Sequence, residues 1–259
     1  MLRFSPCLDI FFKNMPFERR IEKTARLGYS AFEFWTWWDK DVETLKKAIA
    51  ESRIGCAAMC TRFVSLTASS ERAAYIDGLR ETIAIATATG TPIIISQVGN
   101  ELTGVPRAEQ KGSIVDGLAA AAELLEDTAV TLAIEPLNTR YDHKGYFLAR
   151  MDEAAEIVNA VGSKHVGILY DVYHQQITEG NLINTITDYF PLIRHFHVAD
   201  APGRHEIGTG EINYFNVLRT IEDLGYAGSV GIELFPSDKS HDHVLRSPLF
   251  VGDRRSGDA

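Results

Sequence analysis

A single α/β domain over residues 1–259, a (β/α)8 barrel of the TIM type, is the fold class this sequence predicts, and three observations carry it. Eight short apolar or alternating runs recur, each followed by a longer stretch in which apolar residues return every three or four positions. The repeat of roughly 30 residues is the size of one strand–helix unit. The chain's 259 residues suit one barrel, and no linker, low-complexity run or shift of composition marks out a second domain.

The first expected strand is 2–8, and it leads into Asp9-Ile-Phe-Phe-Lys-Asn14. That segment is not the glycine-rich phosphate loop usual after the first strand of an open doubly wound sheet, so the closed barrel is preferred. Phe17 to Leu27 has helical spacing and meets Gly28, a C-cap residue, before strand 31–35. Val42 to Ala50 repeats the pattern ahead of strand 55–60. Strand 92–97 follows the cap at Gly90, and strands 131–135, 166–171, 195–199 and 229–233 complete the eight, the last preceded by Gly225. The polar, charged stretch of about 249–259 is expected to fray.

A formal net charge of −9 repels phosphate backbones, and no run of Lys or Arg exceeds two residues, so nucleic acid is not an expected partner. The start lacks a basic region followed by a long apolar stretch, and the apolar run around Ile93-Ile94-Ile95 is far too short to span a bilayer. No membrane partner is expected, and the location expected is cytoplasmic. Cys7, Cys56 and Cys60 have neither redox nor zinc-site spacing and are read as core packing.

Parallel barrels carry their chemistry at the C-terminal ends of the strands. Strand five ends in Ile134-Glu135-Pro-Leu-Asn138, strand six in Leu169-Tyr-Asp171-Val-Tyr-His174, strand seven in His195-Phe-His197-Val-Ala-Asp200, and strand eight in Gly231-Ile-Glu233. Glu135, Asp171, His197 and Glu233 are each about one strand–helix unit apart, which predicts one height and one point of convergence. Three carboxylates and an imidazole crowded in a low-dielectric mouth call for a cation among them. Hard oxygen donors with one nitrogen favour Mg²⁺ or Mn²⁺.

Other readings stay open for single residues. Asp171 is also placed to cap the next helix. His195 shares the inward face of His197, either as a core histidine or beside the site on a substrate or ligand. His174, three residues past Asp171, could reach a substrate hydroxyl or lie on a surface loop. Arg204 sits in a glycine-containing loop and suits a carboxylate or hydroxyl-rich substrate, unless it is a solvated charge. Trp35, Trp37 and Trp38 would form an apolar wall over the mouth or a subunit contact, so a homo-oligomer is left open.

These strand ends, with Glu135-Pro-Leu-Asn-Thr-Arg140, Tyr170-Asp-Val-Tyr-His174, His195-Phe-His-Val-Ala-Asp200, Gly208-Thr-Gly-Glu-Ile-Asn-Tyr214 and Gly231-Ile-Glu233, resemble the hydroxypyruvate isomerase family within the xylose-isomerase-like barrels. The resemblance implies one divalent metal held by Glu135, Asp171, His197 and Glu233. It also implies that Glu135 and Glu233 act as acid and base, with His174 and Arg204 on substrate oxygens. The function it implies is a metal-dependent, cofactor-independent isomerase working through an enediolate on a small hydroxycarbonyl or sugar substrate, with hydroxypyruvate to tartronate semialdehyde favoured. The alternatives are a ketose 3-epimerase of the tagatose, psicose or ribulose type, whose family carries histidine where His197 stands, and a non-catalytic sugar-binding barrel. Lys144 and the Thr61-Arg62-Phe63 stretch depart from the isomerase pattern.

Overall fold

A computed structural model describes residues 1–237 and 240–250. Its eight strands are β1 (Arg3–Pro6), β2 (Ala31–Glu33), β3 (Gly55–Cys60), β4 (Ile93–Ser96), β5 (Thr131–Ile134), β6 (Val166–Asp171), β7 (Ile193–Val198) and β8 (Ser229–Ile232). All pair in parallel, in the order β1-β8-β7-β6-β5-β4-β3-β2. A parallel bridge between Cys7 and Glu33, with the Leu8 N–H donating to the Glu33 carbonyl at 2.8 Å, joins β1 to β2 and closes the barrel. Every expected strand is present. β1, β2, β4, β5 and β8 are shorter than the apolar runs that announced them, because the last residues of those runs turn into the loops that carry polar side chains.

Helices fill the intervals: α1 (Phe17–Arg26), α2 (Val42–Ser52), α3 (Arg72–Thr89), α4 (Arg107–Leu125), α5 (Met151–Val161), α6 (Val172–Thr178), α7 (Leu182–Tyr189), α8 (Tyr214–Asp223) and α9 (His241–Leu245). The Asp41 carboxylate caps α2 by accepting the Thr44 N–H at 2.7 Å. Gly90 caps α3 with φ +69°, a left-handed conformation that costs glycine least. In the stretch expected to fray, Phe250 is instead 7% exposed and packs its ring edge-on against Phe4 at 5.2 Å, since that aromatic has a core pocket to fill. Residues 251–259 lie outside the described part. Among the described residues no helix is long and apolar enough to cross a membrane.

The apolar residues form two clusters. The larger lies between the strands and the helical shell. The smaller is the plug of the barrel itself, formed by Ala58, Cys60, Ile95, Ala133 and Leu169. On β6 and at the exit of β5 the side-chain period of two places the chemistry-bearing residue one inward position above this plug: Ala133 is followed by Glu135, and Leu169 by Asp171. All three cysteines are buried and free, as expected.

Candidate active site

Strand register brings the four predicted residues together, but not at the single register level expected. Asp171 of β6 pairs with His197 of β7, whereas His197 pairs with Gly231 of β8, two residues before Glu233. Ile134 pairs with Ile168, so Glu135 falls beside Leu169, two residues before Asp171. The groups therefore climb a staircase in register. Strands tilted about the axis of a closed barrel turn that staircase into a common height.

One ligand-type atom from each of Glu135, Asp171, His197 and Glu233 lies within 4.8 Å of the others, and all four residues are buried. His197 Nδ1 is 3.1 Å from Glu233 Oε2 and 3.6 Å from Glu135 Oε1, so the two glutamates flank one nitrogen. Asp171 divides its labour. Its Oδ1 caps α6, accepting the N–H groups of Tyr173 at 2.8 Å and His174 at 3.1 Å, and its Oδ2 is turned into the site. The capping reading therefore holds for Oδ1, and the second oxygen is left free to face the other acids. Glu135 Oε1 is buried with no hydrogen-bond partner among the described residues.

Arg204 is not a solvated loop charge. Its guanidinium Nη2 is hydrogen-bonded to Glu233 Oε2 and lies 3.5 Å from Asp171 Oδ2, while Nε donates to the Glu233 carbonyl at 3.2 Å. Tyr173 and Phe235 flank the cation, with ring centroids at 5.4 and 5.7 Å. The loop is organised by Asp200, whose carboxylate accepts from the N–H groups of Ala201 at 2.9 Å, Gly208 at 2.7 Å and Ile212 at 3.2 Å. Gly210 is required there, because a Cβ would overlap the Ala201 carbonyl and the Asp200 carboxylate. The expected substrate clamp is thus already engaged with the acids, the nearest unneutralised charges.

His174 is buried and its tautomer is set by Asn138. Asn138 Oδ1 accepts from the Tyr141 N–H at 3.0 Å and its Nδ2 donates to Asp142 at 2.7 Å, which orients the amide. Nδ2 then lies 2.7 Å from His174 Nδ1, so Nδ1 is an acceptor and Nε2 carries the proton, 3.7 Å from Asp171 Oδ2. His195 is different. Left open between a core histidine, a place beside the site and a substrate contact, it lies buried with its Nε2 3.1 Å from Glu33 Oε2, one inward position deeper on β7 than His197.

A cavity of about 600 Å³ opens above these groups. Trp35, Phe63, Val64, Leu137 and Phe235 supply apolar lining, and Gln97 and His143 add polar groups. The Trp35 indole N–H donates to Glu233 Oε1 at 2.5 Å, which settles its role as part of the mouth. Trp37 is instead a core residue bonded to Thr82, and Trp38 stands edge-on between Trp37 and Phe63. The sequence reading missed Glu33, Trp35's bond to Glu233, and Asn138. Glu33, which follows the apolar Ala31-Phe32, carried the same signal as the other strand ends.

Burial pushes the Asp171 carboxyl above its ordinary value, with Arg204 opposing and Glu233 reinforcing the shift. Burial would also raise Glu233, but Arg204 and His197 outweigh it and hold that carboxyl below the usual range. For His197, burial favours the neutral ring, yet Glu233 and Glu33 raise it well above an ordinary histidine. Burial, aided by Arg204, lowers His174 to about 3. The unfolded chain takes up this histidine's proton below about 6.5 while the folded chain refuses it down to about 3, so stability is lost as pH falls through that window. In metal-free protein, the urea midpoint of the native chain should therefore drop more steeply from pH 7 to pH 5 than that of His174→Gln; parallel drops would show that His174 is not held neutral.

A family model described as xylose isomerase-like TIM barrel matches residues 21–248. Hydroxypyruvate isomerase of Escherichia coli (strain K12) is 35% identical over 245 residues, covering 91% of this chain and 94% of its own. The 2-oxo-tetronate isomerase of Cupriavidus necator is 30% identical over 246 residues, with 91% and 94% covered. A crystal structure titled AP endonuclease, family 2, from Brucella melitensis superposes with a TM-score of 0.91 at 26% identity, over 96% of this chain and 98% of the other. D-allulose 3-epimerase from Methylomonas sp., at 18% identity and a TM-score of 0.79 over 94% and 88%, shares the fold. The chain belongs to the xylose isomerase-like TIM barrel family, within it to the hydroxypyruvate isomerases, and it is an isomerase.

Proposed function

We propose that this isomerase interconverts a small 2-oxo acid and its hydroxyaldehyde isomer, hydroxypyruvate and tartronate semialdehyde being the favoured pair, with a divalent metal held by Glu135, Asp171, His197 and Glu233. The observation that carries the reading is the convergence of those four ligand atoms within 4.8 Å. The residues fit such an ion. Three hard oxygen donors and one imidazole suit Mg²⁺ or Mn²⁺, and Glu135 Oε1 is buried without a hydrogen-bond partner among the described residues. When bound, the metal supplies positive charge beside the oxygens on which negative charge develops.

The chain's own groups do the rest. Glu233 is stabilised as a carboxylate by Arg204, Trp35 and His197, so the less encumbered Glu135 is the stronger candidate to take the proton from C3 of hydroxypyruvate. The C3–H electron pair becomes the C2=C3 double bond of an enediolate as the C2 carbonyl pair moves onto O2; passage of the O3 proton to O2 and return of a proton at C2 then give the C3 aldehyde and the C2 hydroxyl. His174, neutral with its Nε2–H facing the site, offers a hydrogen bond to a substrate oxygen. Arg204 holds Glu233 in place.

A four-carbon 2-oxo acid is a second reading, favoured by the 2-oxo-tetronate isomerase relative, and the cavity of about 600 Å³ has room for either acid. Proton return to the same carbon would make an epimerase. A nuclease reading is opposed by the net charge of −9. Two assays test the proposal: a panel of hydroxypyruvate, 2-oxo-tetronate and ketoses, and chelation followed by readdition of Mn²⁺ or Mg²⁺. Loss on chelation and recovery with metal are expected; full activity after exhaustive metal removal would overturn the metal-assisted mechanism, and turnover of ketoses alone would overturn the substrate.

A further inference from the structure

Beneath the candidate metal ligands lies a second cluster, Glu33, His195 and His197, all buried. The Glu33 carboxylate crosses the barrel from β2. Its Oε2 accepts from the Ser5 hydroxyl of β1 at 2.9 Å and lies 3.1 Å from His195 Nε2, while its Oε1 lies 3.1 Å from His197 Nε2. The last contact is misaligned for a hydrogen bond and acts through charge. Room for the carboxylate comes from β8, since a Cβ on Gly231 would overlap both Glu33 Oε1 and the His197 ring. Burial alone would raise this carboxyl, but His197 and His195 hold it below its usual range.

His197 is therefore addressed from both ring nitrogens, Nδ1 by Glu233 and Glu135, and Nε2 by Glu33. An imidazole binds a metal through a deprotonated nitrogen, and its other N–H is commonly fixed by a carboxylate, which sets tautomer and ring orientation. We propose that Glu33 is the positioning residue of the site: anchored by Ser5 and His195 in the space left by Gly231, it keeps the His197 proton on Nε2 and turns Nδ1 toward the Glu135, Asp171 and Glu233 carboxylates. The proposal rests on the metal reading above. It also gives His195 its task, as an anchor for Glu33 away from the substrate.

The test is Mn²⁺ titration of metal-stripped wild type and E33Q, each confirmed folded by circular dichroism. An amide presents a donor as well as an acceptor and carries no charge, so E33Q should bind Mn²⁺ about 10- to 100-fold more weakly. Should E33Q fail to fold, His195→Gln takes its place, keeping Glu33 but loosening one anchor; it should also weaken Mn²⁺ binding, by less. Wild-type uptake with unchanged affinity in the folded variant overturns the role of Glu33 alone. A wild type that takes up no Mn²⁺ overturns the metal reading, and this proposal with it.

Discussion

Glu135→Gln and Glu233→Gln are each expected to lower kcat by at least about 10²- to 10⁴-fold while leaving the protein folded. The amide keeps the size of the side chain and removes its capacity to accept a proton, and a positioned general base contributes a factor of that order. The structure predicts different secondary effects. Glu135 Oε1 has no hydrogen-bond partner among the described residues, so its amide gives up little besides the proposed proton transfer and the proposed metal contact. Glu233 is bonded to Trp35, Arg204 and His197, so its amide disturbs three neighbours, and Glu233→Gln should show the larger drop in thermal stability. Steady-state kinetics and thermal unfolding of both variants check this, and native kcat in either would remove that glutamate from the mechanism.

Arg204→Ala is expected to lower both kcat and kcat/KM. The residue is about 9% exposed and its guanidinium bridges Glu233 and Asp171, so removal leaves two buried carboxylates without their cation. Breaking a buried pair from one side typically costs about 3–5 kcal/mol. Bound metal should recover part of this, so the loss of stability should be larger in stripped than in loaded protein. A loop arginine that only gripped substrate would raise KM and leave kcat alone. Because this one holds an acid of the proposed machinery, kcat should fall too, and lysine should restore only part, since a point charge cannot reproduce both the Nε contact to the Glu233 carbonyl and the Nη2 contacts to the two acids. An alanine variant with raised KM and native kcat would return Arg204 to the substrate-clamp reading.

The fold was legible because strand and helix periods are local properties of the chain. The runs at 55–60 and 166–171 became β3 and β6 without change, and Phe17 and Val42 begin the helices expected of them. The same period made the four-residue cluster legible: an ionisable residue that takes the last inward position at a strand end has to rise into the mouth. Partnership was not legible. Whether Asp171 capped a helix or faced the site depended on which of its oxygens the first turn of α6 used, and it uses one. Trp35, Trp37 and Trp38 lie within four positions, yet one bonds an acid of the site, one enters the core and one stands edge-on against Phe63.

By itself, then, the sequence determined the barrel, the strand ends that carry chemistry and the acidic, nitrogen-containing character of their cluster, because all of these follow from periodicity and residue type along the chain. Only the tertiary structure decided that Arg204 sits on Glu233 and Asp171, that His174 presents its Nε2–H, and that Glu33 reaches across the barrel to His195 and His197. Those pairings join residues as far as 164 positions apart, Glu33 to His197, and they are set by closure between β1 and β2 and by strand stagger. No local pattern encodes closure and stagger, which emerge only when all eight strands share one axis.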